Sequence, residues 1–322
     1  MAKVPGKKNG SAAPVAQASV CAPASWRPSH HTTFVEVING ASSEISSSHR
    51  TRIANHPKVF LIGAGPGDPE LLTVRALRIL QTTEVVLHDS LVSPEILSLI
   101  PASAQRIDVG KRAGFRLLTQ SDINSLLVDA AGKHGVIVRL KGGDPSLFGR
   151  AAEEIEALRA ARIDFEIIPG ISAAFAAAAD AKLSLTDRRL ASHVLFTTFS
   201  RAPDSQFLPG IGLTAETTVV IYMPGPDYAE VSRWLQNAAV VPETPVLVLS
   251  KASRADQSQH VTTLAALASL TPLAAPALLI VGRVVASVPN CVSLLQAAGF
   301  READTRDFFN QFDSGGPDAN PS

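Results

Sequence analysis

The stretch VFLIGAGPGDPELLT, residues 59–73, decides the fold that the rest of the chain is expected to adopt. Its apolar start, residues 59–62, predicts a buried strand, and a turn rich in glycine and proline follows directly. A helix is then predicted to begin at Glu70. A strand that ends in such a turn lets the backbone approach a ligand closely. The stretch therefore predicts an α/β unit with a ligand site at the carboxyl end of its first strand.

Composition excludes several classes of protein. Lysine plus arginine and aspartate plus glutamate both number 29, so net charge favours neither nucleic acid nor a membrane surface as a partner. The two cysteines, Cys21 and Cys291, lie far apart, which argues against a disulfide framework and favours a reducing compartment. No apolar stretch is long enough to span a membrane, and no cysteine and histidine spacing is typical of a zinc site. We expect a cytoplasmic protein without a metal.

The chain divides into four parts by composition. Residues 1–57 are rich in serine, alanine and proline, which predicts a disordered N-terminal extension. Because this segment is also basic, an organelle transit peptide is the alternative. Residues 58–170 and 171–290 each alternate predicted strands with predicted helices, which indicates two α/β domains with a cleft between them. The polar residues 291–322 are expected to form a disordered tail.

A second glycine turn, KGGDP at residues 141–145, follows the strand predicted for residues 136–140. Neither turn matches a known phosphate site. Asp68 stands where the dinucleotide fingerprint requires glycine, Pro66 lacks the N–H group that a pyrophosphate would use, and no Lys-Ser or Lys-Thr pair closes a P-loop. Turns that carry acids and prolines suit a cationic adenosyl ligand such as S-adenosyl-L-methionine. Turns that bind no ligand are the alternative.

The order of motifs resembles the tetrapyrrole methylase family over about residues 58–288. The resemblance rests on VFLIGAGPGDPELLT from Val59, HDSLVSPEIL from His88, VGKRAG from Val109, VRLKGGDPSLFGR from Val138, EIIPGISAA from Glu166, IYM from Ile221 and APAL from Ala275. It implies two α/β domains, each with a mixed sheet flanked by helices, usually in a homodimer. It also implies S-adenosyl-L-methionine in the cleft, S-adenosyl-L-homocysteine as a product, and no metal. The implied reaction methylates uroporphyrinogen III at C2 and C7 to give precorrin-2, for sirohaem or cobalamin.

The resemblance also implies roles for single residues. Asp89 occupies the position of a proton acceptor and Lys111 that of a proton donor, which suits a reaction that must manage the ring protons of the macrocycle. The implied cofactor contacts are Pro66, Gly142, Gly143, Asp144, Leu147, Ser172, Ala173, Met223 and Ala252. Because the substrate carries many carboxylates, a basic cleft wall is expected, and its candidates are Arg112, Arg150 and Arg188.

Several positions depart from the family pattern, mostly in the linking helix, which is predicted for residues 172–181, and in the second half. They are His88, Ala151, Ala152, Asp180, Lys182, Ser184, Asp187, residues 198–200 and Pro224. Two alternatives therefore stay open. The chain is either a paralogue that methylates another tetrapyrrole or ring carbon, or a protein that binds S-adenosylmethionine without catalysis.

Overall fold

The structure is a computed structural model that describes residues 58–110, 118–199, 212–289 and 291. The expected extension, almost all of the expected tail, and the predicted site residues Lys111 and Arg112 lie outside the described residues.

Five strands form the first sheet: β1 Lys58–Gly63, β2 Val85–His88, β3 Gln105–Asp108, β4 Val136–Lys141 and β5 Asp164–Ile168. Their order is β3-β2-β4-β1-β5, and every neighbouring pair is parallel. A mixed sheet was expected here. The sheet is wholly parallel because each connection contains a helix that carries the chain back to the same edge.

The helices of the first half are α1 Val74–Leu80, α2 Pro94–Ser98, α3 Gln120–Ala131 and α4 Ala151–Ala160. Helix α3 begins at a capping box, which Thr119 and Asp122 form. The predicted helix start at Glu70 is wrong. Pro69–Leu71 forms a short 3₁₀ helix instead, and α1 begins only after Thr73, whose side chain accepts a hydrogen bond from the Ala76 N–H group.

The second sheet contains β6 His193–Thr198, β7 Thr217–Tyr222, β8 Pro245–Ser250, β9 Ser258–Thr263 and β10 Ala277–Val281. Its order is β6-β7-β10-β8-β9. Only the β6–β7 pair is parallel, so this sheet is mixed, as expected. The antiparallel β8–β9 pair follows from its short connection, residues 251–257, which leaves no room for a crossover. The other helices are α5 Ala173–Asp180, α6 Tyr228–Asn237, α7 Leu264–Leu267 and a 3₁₀ helix, Arg283–Ser287.

Helices cover both faces of each sheet. In the first half, α1 and α2 pack on one face and α3 and α4 on the other. In the second half, α5 packs on one face and α6 and α7 on the other. This arrangement confirms the predicted α/β fold class, while the expected domain limits, 58–170 and 171–290, stay a prediction. Within the described ranges, no helix is long and apolar enough to cross a membrane.

Candidate active site

The two glycine turns meet at the carboxyl edge of the first sheet. The Gly65 N–H group donates to the Gly143 carbonyl oxygen at 3.1 Å, and the Gly143 N–H group donates back to the Gly65 carbonyl oxygen at 2.7 Å. A Cβ atom added to Gly170 would overlap the Gly143 carbonyl oxygen and lie 2.7 Å from the Gly63 Cα atom. Three segments therefore pack backbone against backbone here, which only glycine permits.

A cleft of about 550 Å³ opens above these turns and is walled by both halves of the chain. It is lined by all nine expected cofactor contacts, namely Pro66, Gly142, Gly143, Asp144, Leu147, Ser172, Ala173, Met223 and Ala252. The expected proton acceptor, Asp89, and one expected substrate contact, Arg150, line it as well. Residues far apart in the sequence thus share one cavity, although their individual roles stay predictions.

One predicted substrate contact lies elsewhere. Arg188 is exposed in the connection between α5 and β6, and it does not line the cleft. Arg150 is also exposed, and its guanidinium pairs with Glu153 through two hydrogen bonds of 2.7 Å. A surface ion pair of this kind is weak in water, so Arg150 can exchange its partner at low cost.

The two acids of the glycine turns have mainly structural contacts. Asp144 Oδ1 accepts from the Ser146 N–H group at 2.8 Å, and its Oδ2 accepts from the Gly170 N–H group at 3.0 Å. Asp144 therefore closes its own loop while keeping a negative charge at the cleft. Asp68 Oδ1 accepts from the Glu70 N–H group at 2.8 Å, and Asp68 does not line the cleft.

A chain of alternating charges runs from the cleft into the core of the first half. Asp89 Oδ1 accepts from Arg139 Nη2 at 2.5 Å, and Arg139 Nε donates to Glu154 Oε1 at 2.9 Å. Lys141 Nζ then donates to the two Glu154 carboxylate oxygens at 2.8 and 3.0 Å. The side chains of Arg139, Lys141 and Glu154 are at most 2% exposed, whereas that of Asp89 is 29% exposed. We call these four residues the charge network; Asp89 is its most exposed member.

Sequence reasoning missed the three buried members of the charge network. A signal was present, because Arg139 and Lys141 alternate within an otherwise apolar strand and therefore share one face of a central strand. Glu154 lies on the buried face of α4 with Ala151 and Leu158. Charged residues at such positions are almost never fully buried unless they are paired.

The two cations of the network differ in how firmly they hold their protons. Burial disfavours the charged form of Arg139, but the nearby Asp89 and Glu154 carboxylates outweigh it and raise the pKa of Arg139. Burial, helped by the adjacent Arg139 charge, lowers the pKa of Lys141 despite its contact with Glu154. Arg139 is therefore a permanent cation beside Asp89.

Tyr222, at the end of β7, connects the linking helix to the second sheet. Its hydroxyl lies 2.5 Å from Ser172 Oγ and accepts from the Ala174 N–H group at 3.2 Å. The ring of Phe148, from the first half, packs against the Tyr222 ring with centroids 5.0 Å apart. Burial raises the pKa of Tyr222, so its hydroxyl stays protonated. The sequence assigned a cofactor contact in this IYM motif to the neighbouring Met223 and not to Tyr222.

The β8–β9 turn, residues 251–257, docks on the first glycine turn. The Asp68 N–H group donates to Ser253 Oγ at 3.2 Å. Arg254 Nε donates to the Pro66 carbonyl oxygen at 3.4 Å, and Arg254 Nη2 donates to the Leu91 carbonyl oxygen. The second half therefore reaches across the cleft and holds the turn that forms its floor.

The sequence of residues 58–268 matches the family described as Tetrapyrrole (Corrin/Porphyrin) Methylases. This chain belongs to the tetrapyrrole methylase family. The family resemblance predicted from the motifs is thereby confirmed.

Named relatives of this tetrapyrrole methylase agree with the match. The uroporphyrinogen-III C-methyltransferase of Paracoccus denitrificans is 46% identical over 239 residues, which are 73% of this chain and 83% of that protein. The S-adenosyl-L-methionine-dependent uroporphyrinogen III methyltransferase of Methanosarcina barkeri is 43% identical over 72% of this chain and 93% of its own length. The solved structure of uroporphyrin-III C-methyl transferase from Thermus thermophilus, complexed with S-adenyl homocysteine, superposes with a TM-score of 0.63 at 34% identity. It covers 71% of this chain and 99% of that one.

Two departures of this tetrapyrrole methylase from the family pattern have a structural account. Asp180 Oδ2 accepts from the Ser253 N–H group at 3.1 Å, so it ties α5 to the docked turn. Lys182 adopts a positive φ of 55° directly after the C-cap of α5, at a position that favours glycine. Positive φ values also occur at the cleft residues Phe148, Arg150 and Met223.

Proposed function

We propose that this tetrapyrrole methylase transfers methyl groups from S-adenosyl-L-methionine to C2 and C7 of uroporphyrinogen III. The product is precorrin-2, which serves sirohaem or cobalamin synthesis. One observation carries the proposal: Asp89 and all nine expected cofactor contacts line a single cleft. The names of the relatives from Paracoccus and Methanosarcina support the choice of substrate.

The residues of the cleft fit the methyl donor. Small or apolar side chains, including Leu147, Ala173, Leu249 and Ala277, give a flat base an apolar wall, while the Asp144 carboxylate places a negative charge near a cationic ligand. The glycine turns expose backbone without obstruction by side chains, which suits close approach of a ligand. When bound, S-adenosyl-L-methionine supplies a methyl group on a positively charged sulfur. The chain itself must orient the substrate carbon toward that methyl group.

Asp89 takes the proton that the macrocycle releases. Arg139 occupies its Oδ1 atom, whereas no hydrogen bond to Oδ2 is found among the described residues. One carboxylate oxygen is thus fixed and the other can accept a proton in the cleft. We propose Lys111 as the matching proton donor, in keeping with its position in the VGKRAG motif.

Cations at the cleft bind the carboxylate arms of the substrate in this proposal. Arg150 is one candidate, together with Arg112 and Arg188 from the motif positions. Arg254 is a further cation of the cleft wall, and its described hydrogen bonds go to carbonyl groups rather than to a carboxylate. We also propose that the protein acts as a cytoplasmic homodimer and requires neither nucleic acid nor a membrane, which sedimentation and cell fractionation can test.

The deciding experiment incubates the pure protein with S-adenosyl-L-methionine and enzymatically prepared uroporphyrinogen III, and follows product mass and methyl positions. Two added methyl groups, at C2 and C7, are expected. Methyl groups on other carbons would identify a paralogue with a different specificity. Absence of turnover, with S-adenosylmethionine still bound in calorimetry, would point to a protein that binds the cofactor without catalysis.

A further inference from the structure

We propose that Arg139 is a positioning residue for methyl transfer. Its guanidinium, anchored on the buried Glu154 carboxylate, holds Asp89 in the orientation that proton transfer requires. The inference rests on the proposed function, because Asp89 is taken to be the proton acceptor. It assigns a role to side chains of the charge network that do not themselves take the proton.

The guanidinium of Arg139 is fixed from several directions. Nη2 donates to Asp89 Oδ1 and Nε donates to Glu154 Oε1, so the two ends of the fork hold two different carboxylates. Nη1 lies 3.2 Å from the Leu140 carbonyl oxygen and 3.4 Å from that of Leu87. Because every nitrogen of the group has an acceptor, the plane of the guanidinium is set by the protein. A lysine ammonium is a point charge and cannot bridge both carboxylates in this geometry.

Glu154 is the anchor of the arrangement. Its side chain is fully buried and also accepts both hydrogen bonds of Lys141. The network therefore contains two cations and two carboxylates, and its formal charge is balanced. Replacing a buried ion pair by apolar residues is often neutral or stabilising, so stability alone is a weak reason for such a network. Orientation of its most exposed member is the better account.

The most exposed member of the charge network is Asp89. Its backbone is held at the end of β2, where its N–H group donates to the Leu140 carbonyl oxygen at 3.2 Å. Arg139 supplies the hydrogen bond that fixes the side chain. The neighbouring His88 is buried and turns its Nδ1 atom toward the Asp89 carbonyl oxygen at 3.2 Å, not toward the carboxylate. The position of Asp89 Oδ2 therefore depends on Arg139.

The test uses Arg139→Lys, which keeps the charge and loses the fork. We expect kcat to fall on the order of 10- to 100-fold, since a small misplacement of a reacting group has an effect of this size. The KM values for both substrates and the Kd for S-adenosyl-L-methionine should stay within about 2-fold. The control is Arg75→Lys, because Arg75 is on the exposed face of α1 and pairs with Glu166 outside the cleft. It should change none of these values.

A double-mutant cycle separates positioning from general support of the fold. In an Asp89→Asn background, Arg139→Lys should lower kcat by less than about 2-fold, because the group that it positions has already lost its function. Glu154→Gln should give the same pattern and carries the test if Arg139→Lys does not fold.

Three results would overturn the inference. They are losses of kcat that add to that of Asp89→Asn, a parallel loss of cofactor affinity, and an Asp89→Asn enzyme as active as the wild type. Failure of the proposed function is distinct, because the wild-type protein itself would then fail to methylate uroporphyrinogen III.

Discussion

The two halves of the molecule bury their polar groups in different ways. Among the described residues, the buried charged side chains are Arg139, Lys141 and Glu154, and all three belong to the first half. The buried polar groups of the second sheet and its helices are hydroxyls, on Thr218, Ser232, Thr244, Ser250, Thr262 and Thr263. The first half therefore holds oriented charge beneath the cleft. The second half supplies a mostly apolar wall and the contacts that keep this wall in place.

This difference assigns the reacting groups to the first half and the contacts that support ligand binding to the second half. The charge network and the glycine floor belong to the wholly parallel sheet, where strand ends meet at one edge. Tyr222 and the β8–β9 turn belong to the mixed sheet and contact the first half across the cleft. Substitutions in the first half should stop the reaction or the fold, whereas those in the second half should weaken binding.

The largest effect is expected from Asp89→Ala, which removes the proton acceptor. We expect kcat to fall about 10²- to 10⁴-fold, the usual contribution of a positioned acid or base. The Kd for S-adenosyl-L-methionine, measured by calorimetry, should not change, since Asp89 is not one of the expected cofactor contacts. Asp129→Ala, on an exposed position of α3, is the matched control and should keep full activity. An unchanged rate for Asp89→Ala would remove Asp89 from the mechanism.

Among substitutions that add a single methyl group, Gly170→Ala should destabilise the protein most. Its Cβ atom would collide with the backbone of Gly143 and Gly63, which cannot move aside as a flexible side chain can. We expect a loss of about 3 kcal/mol or more in the free energy of unfolding and loss of cofactor binding. Gly132→Ala is the control, because its nearest heavy atom would lie 3.5 Å away. Urea denaturation measures the stability of both variants, and equal stabilities would contradict the backbone contact.

Tyr222→Phe tests whether the second half contributes to cofactor binding. Loss of the hydroxyl removes its contacts with Ser172 and the Ala174 N–H group, which should weaken cofactor binding about 10-fold, corresponding to about 1.4 kcal/mol. Tyr228→Phe is a matched control in the same half, since that hydroxyl accepts from the Leu273 N–H group away from the cleft. It should affect stability alone. Equal Kd values for the two variants would show that Tyr222 does not shape the cleft.

The smallest expected effect is a gain in stability from a substitution of Lys182. Lys182 has left-handed backbone geometry in a Schellman turn, with the Leu183 N–H group bonded to the Ala178 carbonyl oxygen at 2.9 Å. Lys182→Gly should raise the free energy of unfolding by about 1 kcal/mol without changing kcat. Lys182→Ala retains the Cβ atom and should give no such gain. If alanine and glycine stabilise the protein equally, the charge of Lys182 rather than its backbone is the cause.

Strands with strong apolar patterns were predictable from the sequence. Strands β8 and β10 are examples, because both are buried apolar runs bounded by turn residues. Asp89 directly follows the apolar run of β2, so its place at the end of that strand is predictable in the same way. The α1 start was missed because Asp68 and Thr73 both cap helices within six residues, and only the later one begins a lasting helix.

The contacts between distant segments were not predictable in the same way. Local pattern shows that Arg139 and Lys141 share a strand face, but not that Glu154 lies opposite them. The docking of Arg254 on the Pro66 carbonyl joins segments separated by 188 positions, and no periodicity reports such a contact. Chain direction was also misjudged in the first sheet, since strand patterns do not separate parallel from mixed pairing when both faces are covered.

The backbone contact among Gly63, Gly143 and Gly170 also limits how such a protein can diverge. Every one-step replacement of a glycine adds at least a Cβ atom, and at Gly63 and Gly170 that atom meets the main chain. Selection can therefore find few neutral variants at this edge of the first sheet. New substrate preferences must arise through changes that the fold tolerates, and the second half, where Asp180 and Lys182 already depart from the family pattern, offers them.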